Sequence, residues 1–260
     1  MTAGIAAAEV TFSGTANFGY NDTDHTNGAS ASNPFSDMDL NIAFSKELDN
    51  GYTAAASVEL DYADGNQGND ISASDALISL TNADSGIHYG DTKHAAQNAW
   101  SSVGSMDNDA FRAADGEMVT RADMTLGGAK VSVSLGDDTN LTTATPPGTE
   151  TDYMSLGITG TAGAFTYALA AQNANTAWLD NDDNSAASQL STTGVRVSTT
   201  WGGATVALGH STNNNGGSTG VEVSYPMGAL TTTASYVAED ATGAKANWDV
   251  KVVYAEGAMV

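Results

Sequence analysis

Residues 118–135 read MVTRADMTLGGAKVSVSL. Met118, Thr120, Ala122, Met124 and Leu126 form one row, and Val119, Arg121, Asp123 and Thr125 form the other. Beyond Gly127-Gly128 the rows resume, with Val131, Val133 and Leu135 against Lys130, Ser132 and Ser134. A period of two places successive side chains on opposite faces of a strand, and a Gly-Gly pair suits a tight hairpin turn. The unit is a hairpin with one apolar face and one face carrying charge. It recurs along nearly the whole chain, and no helix-period segment of similar strength interrupts it. Such a chain either buries its apolar faces inside a sandwich or presents them to lipid from a barrel.

Working outward, the alternation predicts fourteen strands. Val10, Phe12, Ala16, Phe18 and Tyr20 mark the first, and Trp248, Val250, Val252 and Tyr254 mark the last. Short turns, such as Leu48-Asp49-Asn50-Gly51 and Gly202-Gly203, alternate with long polar loops at 21–33, 63–70, 136–151, 172–189 and 211–218. An up-and-down barrel in an outer membrane shows this asymmetry, with short turns on one side and long loops on the other. A Greek-key sandwich scrambles it. Alternation stops between residues 92 and 117, a long connection for one domain and therefore the first place to look for function.

Composition narrows the classes. The 260 residues suit one large β-domain, and 28 Gly with only 4 Pro supply turns without a Pro-rich linker. Cys is absent, so neither a disulfide framework nor a thiolate metal site exists. Eight Lys and Arg against 31 Asp and Glu give a net charge of −23, which excludes a nucleic-acid partner that needs a basic footprint. No run approaches the roughly 18 apolar residues of a membrane-spanning helix, but a spanning strand needs only about 9–11 residues, half of them apolar. At the start, MTAGIAAAEV carries Ala6-Ala7-Ala8, a small-residue cleavage pattern. Residues 1–8 therefore read as the remnant of a secretory signal peptide, with the mature chain from Glu9.

Three features favour the barrel. The apolar row continues on every strand. Aromatics sit near strand ends, Tyr20, Tyr62, Tyr236 and Trp248 at loop ends and Phe44, Tyr52, Phe165, Trp201, Tyr225 and Tyr254 at turn ends, as two interfacial girdles would require. The other row carries Asp39, Glu59, Asp61, Asp75, Arg121, Asp123, Lys130, Arg196, Glu222, Asp249 and Lys251. A small packed barrel cannot bury such groups unpaired, whereas a water-filled lumen holds them. The alternative is a soluble secreted or surface β-sandwich binding protein with its polar faces outward, and detergent dependence separates the two. Catalysis finds no motif: His25, His88, His94 and His210 are scattered, and no G-x-S-x-G elbow occurs. The chain is expected not to be an enzyme and to need no cofactor. The oxygen-rich stretches Asp180-Asn181-Asp182-Asp183-Asn184 and 66–70 could ligate calcium, but neither has EF-hand spacing, and acidic surface loops are the plainer reading.

With this pattern, the chain resembles the general diffusion porins of Gram-negative bacteria, most closely those of Rhodobacter and related alphaproteobacteria. The resemblance is carried by AEVTFSGTANFGYN at the start, SGIHYGD (85–91) before the long connection, and ADMTLGGAKVSVSLGDD (122–138) after it. It implies an all-β, antiparallel, up-and-down transmembrane barrel of the 16-stranded type, trimeric, set in outer-membrane lipid and passing small hydrophilic solutes and ions. On that count about two C-terminal strands are missing, and the sequence is expected to be a fragment truncated at both ends. Residues 9–260 would form the incomplete barrel. By the same resemblance, residues 92–117 fold inward and narrow the pore, placing Lys93, Asp107, Asp109, Arg112, Asp115 and Glu117 at the constriction. Arg121, Asp123, Lys130, Arg196 and Lys251 point inward by parity and are the expected wall residues. Carboxylates that outnumber the cations predict a weak cation preference that fades with salt.

Overall fold

The computed structural model of the chain describes residues 8–23, 31–65, 68–107, 109, 111, 118–137, 152–173, 191–240 and 246–255. All fourteen expected strands are present: β1 (Glu9–Thr23), β2 (Ala31–Glu47), β3 (Thr53–Gly65), β4 (Gly68–Thr81), β5 (Ser85–Gly90), β6 (Met118–Leu126), β7 (Ala129–Asp137), β8 (Asp152–Ala162), β9 (Phe165–Asn173), β10 (Thr192–Trp201), β11 (Ala204–Asn213), β12 (Gly216–Met227), β13 (Leu230–Glu239) and β14 (Asn247–Tyr254). A five-residue helix, α1 (Ala95–Ala99), lies between β5 and β6 in the chain. The N-terminal residues 1–7, the C-terminal residues 256–260 and the stretch 112–117 lie outside the described residues.

The chain divides into two compact units, Met1–Asp91 and Thr92–Val260. In the first, β1 to β5 follow one another as antiparallel neighbours. In the second, β6 to β14 do the same. Within each unit, spatial order is chain order, the pattern of an up-and-down meander. The β6–β7 hairpin closes at Leu126 opposite Ala129, with Gly127 and Gly128 at φ 58° and 88°. Both angles are positive, as a two-residue primed turn demands.

The two faces of the second unit are sorted in an unusual direction. Val119 and Arg121 of β6, Ser132 and Ser134 of β7, Tyr153 and Ser155 of β8, and Ala207 and Ser211 of β11 are buried. Their neighbours along the same strands, Met118, Val133, Leu135, Met154, Leu156 and Leu208, are exposed. Most large apolar groups are bare, and apart from Val119 and Tyr153 the covered ones named here are small or polar, the reverse of a water-soluble core. In the first unit Phe12, Phe18, Ile78 and Ile87 are likewise exposed. A soluble sandwich would have hidden these rows against a second sheet; a lipid-facing surface leaves them bare.

Several strands run further than the alternation indicates. The expected loop at 211–218 is mostly ladder, with β11 and β12 joined through Asn214 and Asn215 alone. The expected loop at 63–70 is also largely strand, since β3 reaches Gly65 and β4 starts at Gly68. These extensions are polar on both rows, so period two carries no hydrophobic signal there. β4 also contains a bulge. Ser57 pairs with Leu77 but Glu59 with Ser74, so one extra residue enters β4, and Asp75 takes φ 47°.

Candidate functional site

The covered face of the second unit is covered by the chain's own connecting segment. Residues 92–107 run along the polar row, crossing successive strands. At the start, the Arg121 guanidinium donates to Thr92 Oγ1 at 3.0 Å and to the Lys93 carbonyl at 2.7 Å. It also lies 3.3 Å from Asp123, which Lys130 approaches at 3.5 Å from the other side. The hairpin register around Gly127-Gly128 brings these three charges together.

Helix α1 follows, and its first amides are met by the wall. No His94 side-chain cap forms. Instead Ser134 Oγ accepts from Ala95 N at 2.9 Å and Ser155 Oγ from Ala96 N at 3.1 Å, and the two hydroxyls are 2.8 Å apart. A helix start leaves amide donors without intrahelical partners, and here strand hydroxyls take them. His94 is fully buried beside them, with Nδ1 3.4 Å from Ser134 Oγ and its ring edge-on to Tyr153 at 6.5 Å.

Beyond the helix, Val103 and Met106 are buried with Ala207 and Val237 of the wall, and Trp100 packs against them. Burial of such side chains is worth about 1.5–3 kcal/mol each. The tip is held by carboxylates: Glu222 accepts from Gly104 N at 3.3 Å, and Glu239 and Ser218 from Asp107 N at 3.2 Å each. Ser218 also donates to Glu239. Asn247 on β14 donates to Ser105 Oγ at 3.1 Å.

The expected constriction residues fall into different places. Asp107 and Lys93 are exposed. Asp109 is buried and accepts from Trp100 Nε1 at 3.0 Å, with Phe111 stacked obliquely on Trp100 at 5.6 Å. Arg112, Asp115 and Glu117 lie outside the described residues. Among the expected wall residues, Arg121 is spent on the segment's start rather than open to solvent. Arg196 is half-buried with Nη1 3.5 Å from Ser198 Oγ, and Lys251 is exposed on β14. Lys251 and Asp249 border a cavity of about 320 Å³ with Glu222, Thr233, Ser235 and Gly104.

A second acidic group stands in the first unit. Asp39 pairs directly with Asp61 across β2–β3, and the carboxylates of Asp39, Glu59 and Asp61 lie within 4.8 Å of one another. Thr15 Oγ1 donates to Asp39 at 2.9 Å. The sequence names these residues in the polar row but does not join them; counting back from the Asp49-Asn50-Gly51 turn would have. The calcium candidates at 180–184 and at 66 and 67 lie outside the described residues. Also unread in the sequence is the seat itself. Trp100, Val103 and Met106 recur every three residues in a segment whose charges drew the attention, and an apolar row in a polar connection needs a surface to lie on.

The Gram-negative porin family model matches residues 1–259. The chain belongs to this family. No curated protein sequence matches it. Among solved structures, a triple mutant of the Rhodopseudomonas blastica porin shares 17% identity and a TM-score of 0.65, over 95% of this chain and 90% of that one. Two further mutants of the same porin, at 18% and 17% identity, cover the same shares and each reach a TM-score of 0.66. At such identities the likeness speaks for the fold, an antiparallel porin barrel. Family and fold place this porin in the Gram-negative outer membrane, crossing it with β-strands, and point to a channel rather than an enzyme. The bare apolar rows then face lipid, and the row carrying the connecting segment faces the lumen.

Proposed function

We propose that this porin forms a water-filled channel for passive diffusion of small hydrophilic solutes and ions, works as a homotrimer, and weakly prefers cations. The observation that carries the reading is the reversed sorting of the strands. Apolar rows are exposed, charged and hydroxylic rows are turned the other way, and a connecting segment is laid on the latter as a constriction would be. The cation preference follows from the balance of charge on the polar row. Asp39, Glu59, Asp61, Glu222, Glu239 and Asp249 are carboxylates on the polar rows of the two units, against the cations Arg121 and Lys130, both drawn to Asp123, and Arg196 and Lys251. Carboxylates lining a passage raise the local cation concentration and repel anions.

Planar-bilayer recording of the full-length protein in a salt gradient tests this. The expected result is stepwise, ohmic conductance with a reversal potential on the cation side, moved toward zero by Asp107→Asn because that carboxylate is exposed on the segment. Absence of steps from folded protein inserted in the bilayer would overturn the channel reading and leave an outer-membrane barrel that does not conduct.

A further inference from the structure

Between the side chains that hold it, the connecting segment lies close to the wall over several positions that carry no side chain. One cross-strand row runs Ser132, Gly157, Ala170, Gly194, Ser211 and Ser218 from β7 to β12. The adjacent row places Gly209 opposite Gly220, and Gly220 opposite Val237. The segment follows these rows. A Cβ at Gly157 would run into the Ala95 carbonyl oxygen, and one at Gly220 into the Val103 carbonyl oxygen. At Gly194 a Cβ would stand 2.5 Å from the Trp100 ring, and at Gly209 2.7 Å from Val103 Cγ2. None of these four glycines has a positive φ, so their backbone does not require glycine. What requires it is the close approach of the segment, by its main chain at Gly157 and Gly220 and by its side chains at Gly194 and Gly209.

We infer that Gly157, Gly194, Gly209 and Gly220 are positioning residues that set how far the constriction segment stands off the barrel wall, and through it the size limit of the channel. The inference rests on the channel reading above. A closely packed seam has no slack, so a methyl group that meets main chain moves the segment rather than a rotamer, by about one ångström. That movement is into the lumen. The anchors at either end, Arg121 with Lys93 and Glu239 with Asp107, keep it from leaving the wall altogether.

The test compares single-channel conductance and the size limit for neutral sugars in liposome swelling, using full-length protein whose folding is checked by heat-modifiable gel mobility. Gly157→Ala and Gly220→Ala are expected to lower both, with folding kept. Gly209→Ala meets side-chain atoms and no main chain, chiefly Val103 Cγ2 with Met106 Sδ further off, so its loss is expected to be largely recovered in the Gly209→Ala/Val103→Ala pair, whereas Val103→Ala does not restore Gly220→Ala. This split separates segment position from a general weakening of the barrel. A second design covers variants that fail to fold. The chain has no Cys, so Ser105→Cys with Asn247→Cys can join the segment to β14. Oxidation is expected to leave the conductance unchanged and reduce its noise, because the segment already rests there. A wild-type protein that conducts while the glycine variants match it in conductance and size limit would overturn the inference, as would a conductance changed by the disulfide. A wild-type protein that does not conduct would instead overturn the channel reading.

Discussion

Arg121 shows how one side chain can be legible in type and illegible in role. Its parity on β6 places it on the polar row, and an arginine there reads as a free wall cation. In the fold it is buried, and its fork is divided between Thr92, the Lys93 carbonyl and Asp123. No periodicity reports a partner some thirty residues away. Its removal should therefore act on stability and loop order more than on selectivity. Arg121→Ala is expected to cost about 2–3 kcal/mol, below the larger loss of an isolated buried pair, because Lys130 stays within reach of Asp123. Denaturant unfolding in detergent gives the cost, and single-channel noise reports the loosened segment. A selectivity change as large as that of Asp107→Asn, with no loss of stability, would show that Arg121 serves as a wall cation after all.

At the scale of the element, the strands were legible wherever one row is apolar, as in β6, β7 and β13. They were lost where both rows are polar, as where β4 begins at Gly68 and where β11 and β12 continue to Asn213 and from Gly216. Helix α1 has five residues, too few for a 3.6-residue period to show. The β4 bulge is hidden for another reason: an extra residue changes the row in mid-strand, so Ile71 and Ala73 pair with one row of β3 and Ile78 and Leu80 continue it with the opposite parity. The bulge also makes a prediction. Asp75 pays for φ 47°, while Gly90 at φ 123° stands where a Cβ would run into the Ala76 carbonyl oxygen, which accepts from Asp91 N at 2.9 Å. Asp75→Gly should be neutral or stabilising by up to about 1 kcal/mol, and Gly90→Ala destabilising by about 1–3 kcal/mol or more. Thermal unfolding followed by gel mobility measures both. Equal tolerance of the two changes would mean that the bulge is not held where the register places it.

For the whole molecule, the net charge of −23 and the sorting of the strands act together. Apolar rows given over to lipid leave charge to the loops and the lumen-facing row, and in the channel proposed above that acidity bears on what passes. If cation preference comes from this diffuse field, it must depend on screening. The Debye length is about 10 Å near 0.1 M salt and about 3 Å near 1 M, so carboxylates on the wall act across the passage at the lower concentration and only at their own surface at the higher. The reversal potential for a fixed salt ratio is therefore expected to lie on the cation side near 0.1 M and to approach zero near 1 M, while conductance continues to rise with salt. Bilayer recordings at the two concentrations decide it. A preference that survives undiminished at 1 M would require ions to be held at short range, and the Asp39, Glu59 and Asp61 group would be the first place to substitute. A potential of the opposite sign would mean that exposed cations such as Lys93 and Lys251 stand nearer the path of the ions than the carboxylates do.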